Sequence, residues 1–200
     1  MKIIQIKACY GYGSTGIIVR DLQDICICNG IECVVAFPYS RGAVRGGYKM
    51  GNLISNKLHA VLARISGKQG YFSHLSTRRF LSFLDQYKPD IIHIHNLHGC
   101  YINLPMLLKY AAKRKIAVVA TLHDCWFYTG GCSHYTSVEC EKWLMECGKC
   151  PRRYQETAAY LWDNSSQILA DRKKLFGSIV NLIGVGVSNW ITEEAHKTVF

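Results

Sequence analysis

The sequence predicts an α/β domain built on a doubly wound, Rossmann-like parallel sheet. Three observations lead there. Short, continuously apolar runs, the form expected of strands covered on both faces, alternate with longer segments of helical period. A glycine-rich turn joins the first apolar run to the first helical segment. Five such strands fit within 200 residues, a length suited to one domain (1–200) with a real core.

Taken in order, IIQIKA at residues 3–8 reads as the first strand. Residues 14–29 read as a helix, with Ile18, Leu22, Ile25 and Cys26 spaced along one buried face. Gly30 ends it, since glycine tolerates the left-handed conformation of a helix C-terminus. IECVVAF at 31–37 is the second strand, and 38–51, with four glycines and two arginines, is loop. Over 53–65, Leu53, Ile54, Leu58, Val61, Leu62 and Ile65 fall at helical spacing. A further helix covers 77–87 and stops before Pro89, because proline pushes its predecessor out of the helical region. DIIHIHN at 90–96 is a strand, 104–114 a helix, and IAVVATLH at 116–123 a strand. Residues 124–164 lack regular pattern and are rich in Cys, Gly and Tyr; 125–160 read as an insertion. Helix returns over 165–176 and strand over 179–187, and Ser188 caps a last helix with Glu193 and Glu194 near its positive end.

No run of 18 apolar residues exists, so no segment is expected to span a bilayer. The N-terminal stretch turns polar too soon for a secretory signal, which makes a cytoplasmic location the expectation. Ten cysteines in such a chain point to reduced thiols or metal ligation. Six of them (Cys9, Cys26, Cys28, Cys33, Cys100 and Cys125) sit among apolar residues, where cysteine behaves as a small core side chain. The net charge is +10, carried by Arg41/Arg45, Arg78/Arg79, Lys113/Arg114/Lys115, Arg152/Arg153 and Arg172/Lys173/Lys174. Such groups either form solvated faces or attract anions such as a nucleotide or a phospholipid surface. No RNP, zinc-finger or helix-turn-helix signature supports nucleic acid as a partner.

In doubly wound sheets ligands sit beyond the carboxyl ends of the strands. That rule selects the loop after the first strand, residues 96–101, and His123 onward. Gly11, Gly13 and Gly16 stand in a G-x-G-x-x-G spacing, but the second strand ends in Phe37-Pro38-Tyr39-Ser40-Arg41 without the acidic residue a dinucleotide site needs. No Gly-Lys-Ser/Thr follows either, so a P-loop is excluded. A phosphate-contacting loop remains, with Ser14 and Thr15 able to cap the helix or meet a phosphate oxygen; a plain tight turn is the other reading. His93 and His95 alternate onto one strand face, without the aspartates that usually complete a metal set. His123 and Asp124 lie at a strand end before Trp126, Phe127 and Tyr128. Imidazole and carboxylate there suit proton transfer or hydrogen bonds to sugar hydroxyls, and aromatic faces suit sugar rings.

Together, "GSTG" opening a helix, "PDIIHIHN", "HDCWFYTGGC", a cysteine-rich stretch ending "CP", and "VSNW" before a helix resemble the N-terminal half of family 4 glycosyltransferases of the GT-B fold. The likeness is to a bacterial subgroup that assembles surface polysaccharide, and it spans nearly the whole chain. The resemblance implies a nucleotide-sugar donor, retention of anomeric configuration and no cofactor for catalysis; the lack of a D-x-D motif agrees with that. It implies that Gly13, Ser14, Thr15 and Gly16 line the cleft near the donor diphosphate. His123, with Asp124, matches the catalytic position at the transferred sugar. Asn96, His98, Trp126 and Tyr128 fall on the acceptor side, where a glycan or lipid-linked acceptor is implied on the inner face of a membrane. The family's second domain, with its Glu-x7-Glu nucleotide motif, has no counterpart in this sequence. The chain therefore reads as half an enzyme: truncated, degenerate, or one partner of a split transferase whose other part is a separate C-terminal domain.

Cys132, Cys140, Cys147 and Cys150 form a C-x7-C-x6-C-x2-C pattern whose closing C-x2-C suits two thiolates on one tetrahedral ion. A structural Zn2+ stapling the insertion is the expectation, with His134 a candidate substitute ligand. Two disulfides or plain reduced thiols are the other arrangements.

Overall fold

A computed structural model describes residues 1–155 and 159–200. Residues 156–158, near the end of the expected insertion, lie outside the described residues. The chain runs β1 (Lys2–Ile6), β2 (Cys9–Tyr10), α1 (Ser14–Cys28), β3 (Glu32–Phe37), β4 (Tyr39–Ser40), β5 (Gly47–Lys49), α2 (Leu53–Ser66) and α3 (His74–Tyr87). It continues with β6 (Ile91–Ile94), α4 (Leu104–Arg114), β7 (Ala117–Leu122), α5 (Lys142–Met145), α6 (Ser165–Gly177), β8 (Leu182–Gly186) and α7 (Asn189–Ala195).

Six strands form one parallel sheet in the order β5-β3-β1-β6-β7-β8. The five strands expected from apolar runs are all present. The sixth, β5, lies inside the glycine-rich stretch read as loop, and its three residues pair with Val35, Ala36 and Phe37. The winding reverses beside β1, whose neighbours are β3 on one side and β6 on the other. A crevice opens at such a reversal, beyond the strand ends.

Strand alternation sorts the core. Ile4, Ile6, Ile92, Ile94, Val118, Ala120 and Leu122 point to one face, into a single cluster with Phe80, Leu84, Leu107, Leu108 and Phe176 from α3, α4 and α6. Val35 and Phe37 point to the other face and meet Val19 of α1. On that second face β1, β6 and β7 present Gln5, His93, His95 and Thr121, a polar strip inside the sheet.

Two helices reverse the orientation that their apolar residues suggest. On α1 the inward residues are Gly16, Val19 and Gln23, while Ile18 and Ile25 face water. Gln23 is fully buried because it is satisfied: it accepts from the Tyr10 hydroxyl (2.7 Å) and donates to the carbonyls of Cys33 (2.9 Å) and Arg45 (2.7 Å). On α2 the inward residues are Asn56, His59 and Ala63. Gly16 sits where it does for a packing reason, since a Cβ there would lie 2.9 Å from the carbonyl oxygen of Cys9. Ser188 caps α7 as expected, accepting from the Ile191 amide. Of the six scattered cysteines, Cys33 and Cys125 are buried and Cys28 is exposed, so the core reading fails for Cys28. Among the described residues no helix is long and apolar enough to cross a membrane.

Candidate functional site

Three strand ends converge. Lys7, following β1, is buried; its charge acts on His123 beyond β7, and it interacts electrostatically with Asp124. Burial pushes the Lys7 amine below its ordinary value, against the opposing influence of Cys9 and Asp124. A lysine breaking the apolar run KIIQIKA was the sequence signal for this residue, and it was missed.

Asp124 organises the loop after β6. Its Oδ2 accepts from Asn96 Nδ2 (2.8 Å) and lies 3.1 Å from His98 Nε2, and its Oδ1 accepts from the Trp126 amide (2.9 Å). Burial alone would raise its pKa. The hydrogen bond to and charge of His98, the Trp126 amide and the charge of His134 outweigh it and hold the carboxyl below its usual range. Both oxygens are thus committed to partners within the site.

His123 ends a buried relay. Gln5 Nε2 donates to the carbonyl of Val19 (3.2 Å), so its Oε1 is the acceptor that faces His95 Nε2 at 3.2 Å. His95 Nε2 therefore carries hydrogen. His95 is fully buried and pushed down to about 2, chiefly by burial and then by the neighbouring charges of His93, His123 and Lys7, so it is neutral and its Nδ1 is bare. That nitrogen lies 3.2 Å from His123 Nε2, which must be the donor. The remaining nitrogen of His123, Nδ1, is left as an acceptor. His93 packs against His95 with its ring tilted by 35° and centroids 4.1 Å apart, and lies 2.8 Å from the Thr121 hydroxyl.

The same burial has a pH signature. His93 and His123 are each lowered to about 4, mainly by desolvation, from an ordinary 6.5. The unfolded chain therefore takes up protons that the folded one refuses as pH falls. The stability these groups contribute is present above pH 6.5 and is lost on descent toward pH 4. Urea midpoints measured across that window should fall, and the fall should shrink in a His93→Gln variant.

Trp126 and Tyr128, expected on the acceptor side, are buried, 1% and 3% exposed. Trp126 lies beneath the guanidinium of Arg172, 3.8 Å from ring centroid to Cζ, and meets His98 and Phe127 edgewise. Tyr128 packs on Trp143. Neither leaves an open ring face for a sugar. Arg172 is likewise buried and is no part of a surface anion patch; it donates to the carbonyls of Trp126 and Thr129. Gly13, Ser14, Thr15 and Gly16 stand at the start of α1, with Gly13 at φ 67° as its N-cap and Ser14 exposed.

Cys132, Cys140, Cys147 and Cys150 line one pocket with Tyr135, Trp143 and Pro151. All ten cysteines are free thiols. Among the described residues no three His, Cys, Asp or Glu side chains gather closely enough to hold an ion, so the donor set does not fit the expected zinc. Aromatic packing holds this segment instead: Trp143 contacts Tyr128 and Tyr135, and the Tyr135 hydroxyl donates to Glu194 (2.7 Å).

The model of Glycosyltransferase Family 4 matches residues 28–153, well over half of the chain. The chain belongs to glycosyltransferase family 4. Within that family it is similar to a protein of Escherichia coli (strain K12) named "Putative colanic acid biosynthesis glycosyl transferase WcaC". The two are 24% identical over 194 residues, covering 91% of this family 4 chain and 47% of that protein. The chain thus spans about half the length of the curated relative it matches. Among solved structures it is similar to the spinosyn rhamnosyltransferase SpnG bound to spinosyn aglycone (12% identity, TM-score 0.37, 60% of this chain and 34% of that one). It is also similar to SsfS6, a glycosyltransferase of Streptomyces sp. SF2575 (16% identity, TM-score 0.35, 60% and 39%). Neither likeness is close enough to carry site geometry across.

Proposed function

We propose that this chain is the N-terminal, acceptor-side half of a nucleotide-sugar-dependent, retaining glycosyltransferase that acts in bacterial surface-polysaccharide or glycolipid assembly. The observation that carries the reading is the convergence of Lys7, His123, Asp124, Asn96 and His98 beyond β1, β6 and β7. His123 Nδ1 accepts a hydrogen bond from a hydroxyl of the transferred sugar. Gly13, Ser14, Thr15 and Gly16 turn amides toward the donor diphosphate, where the helix terminus and Lys7 favour the negative charge that grows as the sugar–phosphate bond breaks. Asn96 and His98, locked by Asp124, face the acceptor whose hydroxyl forms the new bond on the same side of the ring, its proton passing to the departing phosphate. A C-terminal domain supplies the remaining nucleotide contacts, and an anionic membrane surface presents a lipid-linked acceptor.

Titration calorimetry of the chain with nucleotide sugars and with NAD tests this reading. Weak binding of a nucleotide sugar and none of NAD is the expected result. Binding of NAD in preference would overturn it, and binding of neither would favour a non-catalytic scaffold.

A further inference from the structure

Beyond the carboxyl end of β3, an exposed arginine is tied to the turn that follows β1. Arg41 comes directly after β4, and β4 pairs with β2, Cys9 opposite Tyr39 and Tyr10 opposite Ser40. The Arg41 amide extends that pairing by donating to the carbonyl of Tyr10 (3.3 Å). Gly11, at φ 76°, completes the clasp: a Cβ there would lie 2.9 Å from the Arg41 carbonyl oxygen, so a side chain would push the two loops apart. The Arg41 guanidinium sits over the ring of Tyr12, 5.0 Å from Cζ to the centroid. Tyr12 is itself held by a hydrogen bond with the Cys9 side chain. Cys9 interacts electrostatically with Lys7, whose charge acts on His123. Residues 7–12 thus carry one cation, Lys7, at their buried start and a second, Arg41, over their exposed end.

The place of Arg41 selects its ligand. In a doubly wound sheet, the residue beyond the second strand meets whatever is held over the glycine turn; an acid there receives hydroxyls, and an arginine receives phosphate. Here the acid is missing and Arg41 stands near that position. Among the described residues no carboxylate pairs with it. The other arginine of the same loop is engaged: Arg45 lies 3.7 Å from a carboxylate oxygen of Asp24 on α1. A guanidinium resting over an aromatic ring keeps its outer N–H groups in a planar fork, the geometry that grips two oxygens of one phosphate. A neutral sugar hydroxyl makes no such use of the fork, and no acidic residue in the first turn of α1 competes for it.

We propose that Arg41, seated over Tyr12, is a phosphate ligand of the substrate crevice and selects for a phosphorylated substrate. The proposal rests on the glycine-loop reading above and adds the side chain that grips the anion. Either the donor diphosphate or a phosphate of the acceptor can occupy it, and competition separates the two. Titration calorimetry with inorganic pyrophosphate at low salt is the test. The chain should bind pyrophosphate, and Arg41→Ala should weaken that binding by about tenfold. Arg41→Lys should recover only part of the loss, since an ammonium has no planar fork. Arg45→Ala removes the same charge from the same loop and should leave the affinity unchanged. Arg41 and Arg45 are both exposed, and unchanged circular dichroism verifies that the variants fold. Displacement of pyrophosphate by UDP or GDP assigns the phosphate to the donor; displacement by glucose 1-phosphate alone assigns it to the acceptor. Absence of pyrophosphate binding would overturn the proposal, as would equal binding by Arg41→Ala or failure of all three competitors. An equal loss in Arg45→Ala would reduce the effect to net charge and would overturn it as well. Pyrophosphate carries neither base nor sugar, so this result is read independently of the comparison with NAD. A nucleotide sugar bound equally by the parent chain and Arg41→Ala would sink this proposal and leave the reading above standing.

Discussion

Replacing His123 by alanine, in a two-domain enzyme that contains this chain, is expected to lower kcat by about two to three orders of magnitude, the usual cost of removing one preorganised polar contact to a transition state. The melting temperature should barely move, because His123 sits at the rim and its loss leaves only His95 Nδ1 without a donor. Unchanged kcat would remove its assigned role. The relay behind it makes a second, separable statement. Nitrogen NMR of the imidazoles should find His123 protonated on Nε2 and bare on Nδ1 at neutral pH. A Gln5→Leu variant frees His95 to turn its tautomer over and should mix the two forms at His123. A merely structural glutamine would leave that ratio alone.

Arg172→Ala is expected to destabilise the fold by about 2–4 kcal/mol, read from urea denaturation. Two effects oppose one another. The substitution strips the carbonyls of Trp126 and Thr129 of their donor and opens a cavity against the Trp126 ring. It also relieves a buried cation whose Nε and Nη2 have no partner among the described residues. Burial lowers this guanidinium to about 10, so it stays charged at neutral pH. Two bare carbonyls and a cavity outweigh the relief. Arg172→Lys should recover little, since the side chain ends one bond short of Nη1, the single nitrogen that reaches both carbonyls, and an ammonium lacks the planar face that packs over the indole. A loss below about 0.5 kcal/mol, the level of an ordinary surface change, would contradict the account.

The strands were legible because a parallel sheet covered on both faces demands unbroken apolar runs, and ECVVAF and AVVATL carry that demand openly. The helix positions were legible for the same periodic reason, but their orientation was not. Periodicity reports that apolar residues share a face; it is silent on whether that face meets the core. On α1 and α2 the polar residues Gln23, Asn56 and His59 turn inward because each finds specific partners on neighbouring elements, which no local pattern encodes. Strand β5 was hidden because three residues in a glycine-rich stretch carry no period at all.

At the site, His123, Asp124, Asn96 and His98 could be picked from their places at strand ends, since topology alone brings those ends together. Gln5 and His95 could not, because their importance lies in hydrogen bonds across strands distant in sequence. The burial of Trp126 and Tyr128 was not legible, because an aromatic beside a polar motif looks the same in sequence whether it faces a ligand or the core. The closing C-x2-C misled likewise: spacing permits a tetrahedral site, but four thiols must also turn toward one point.

One guanidinium donates to the carbonyls of Trp126 and Thr129 and sits over an indole that also touches His98. The loop bearing the thiols therefore meets the loop bearing His98 through this packing as well as through Asp124.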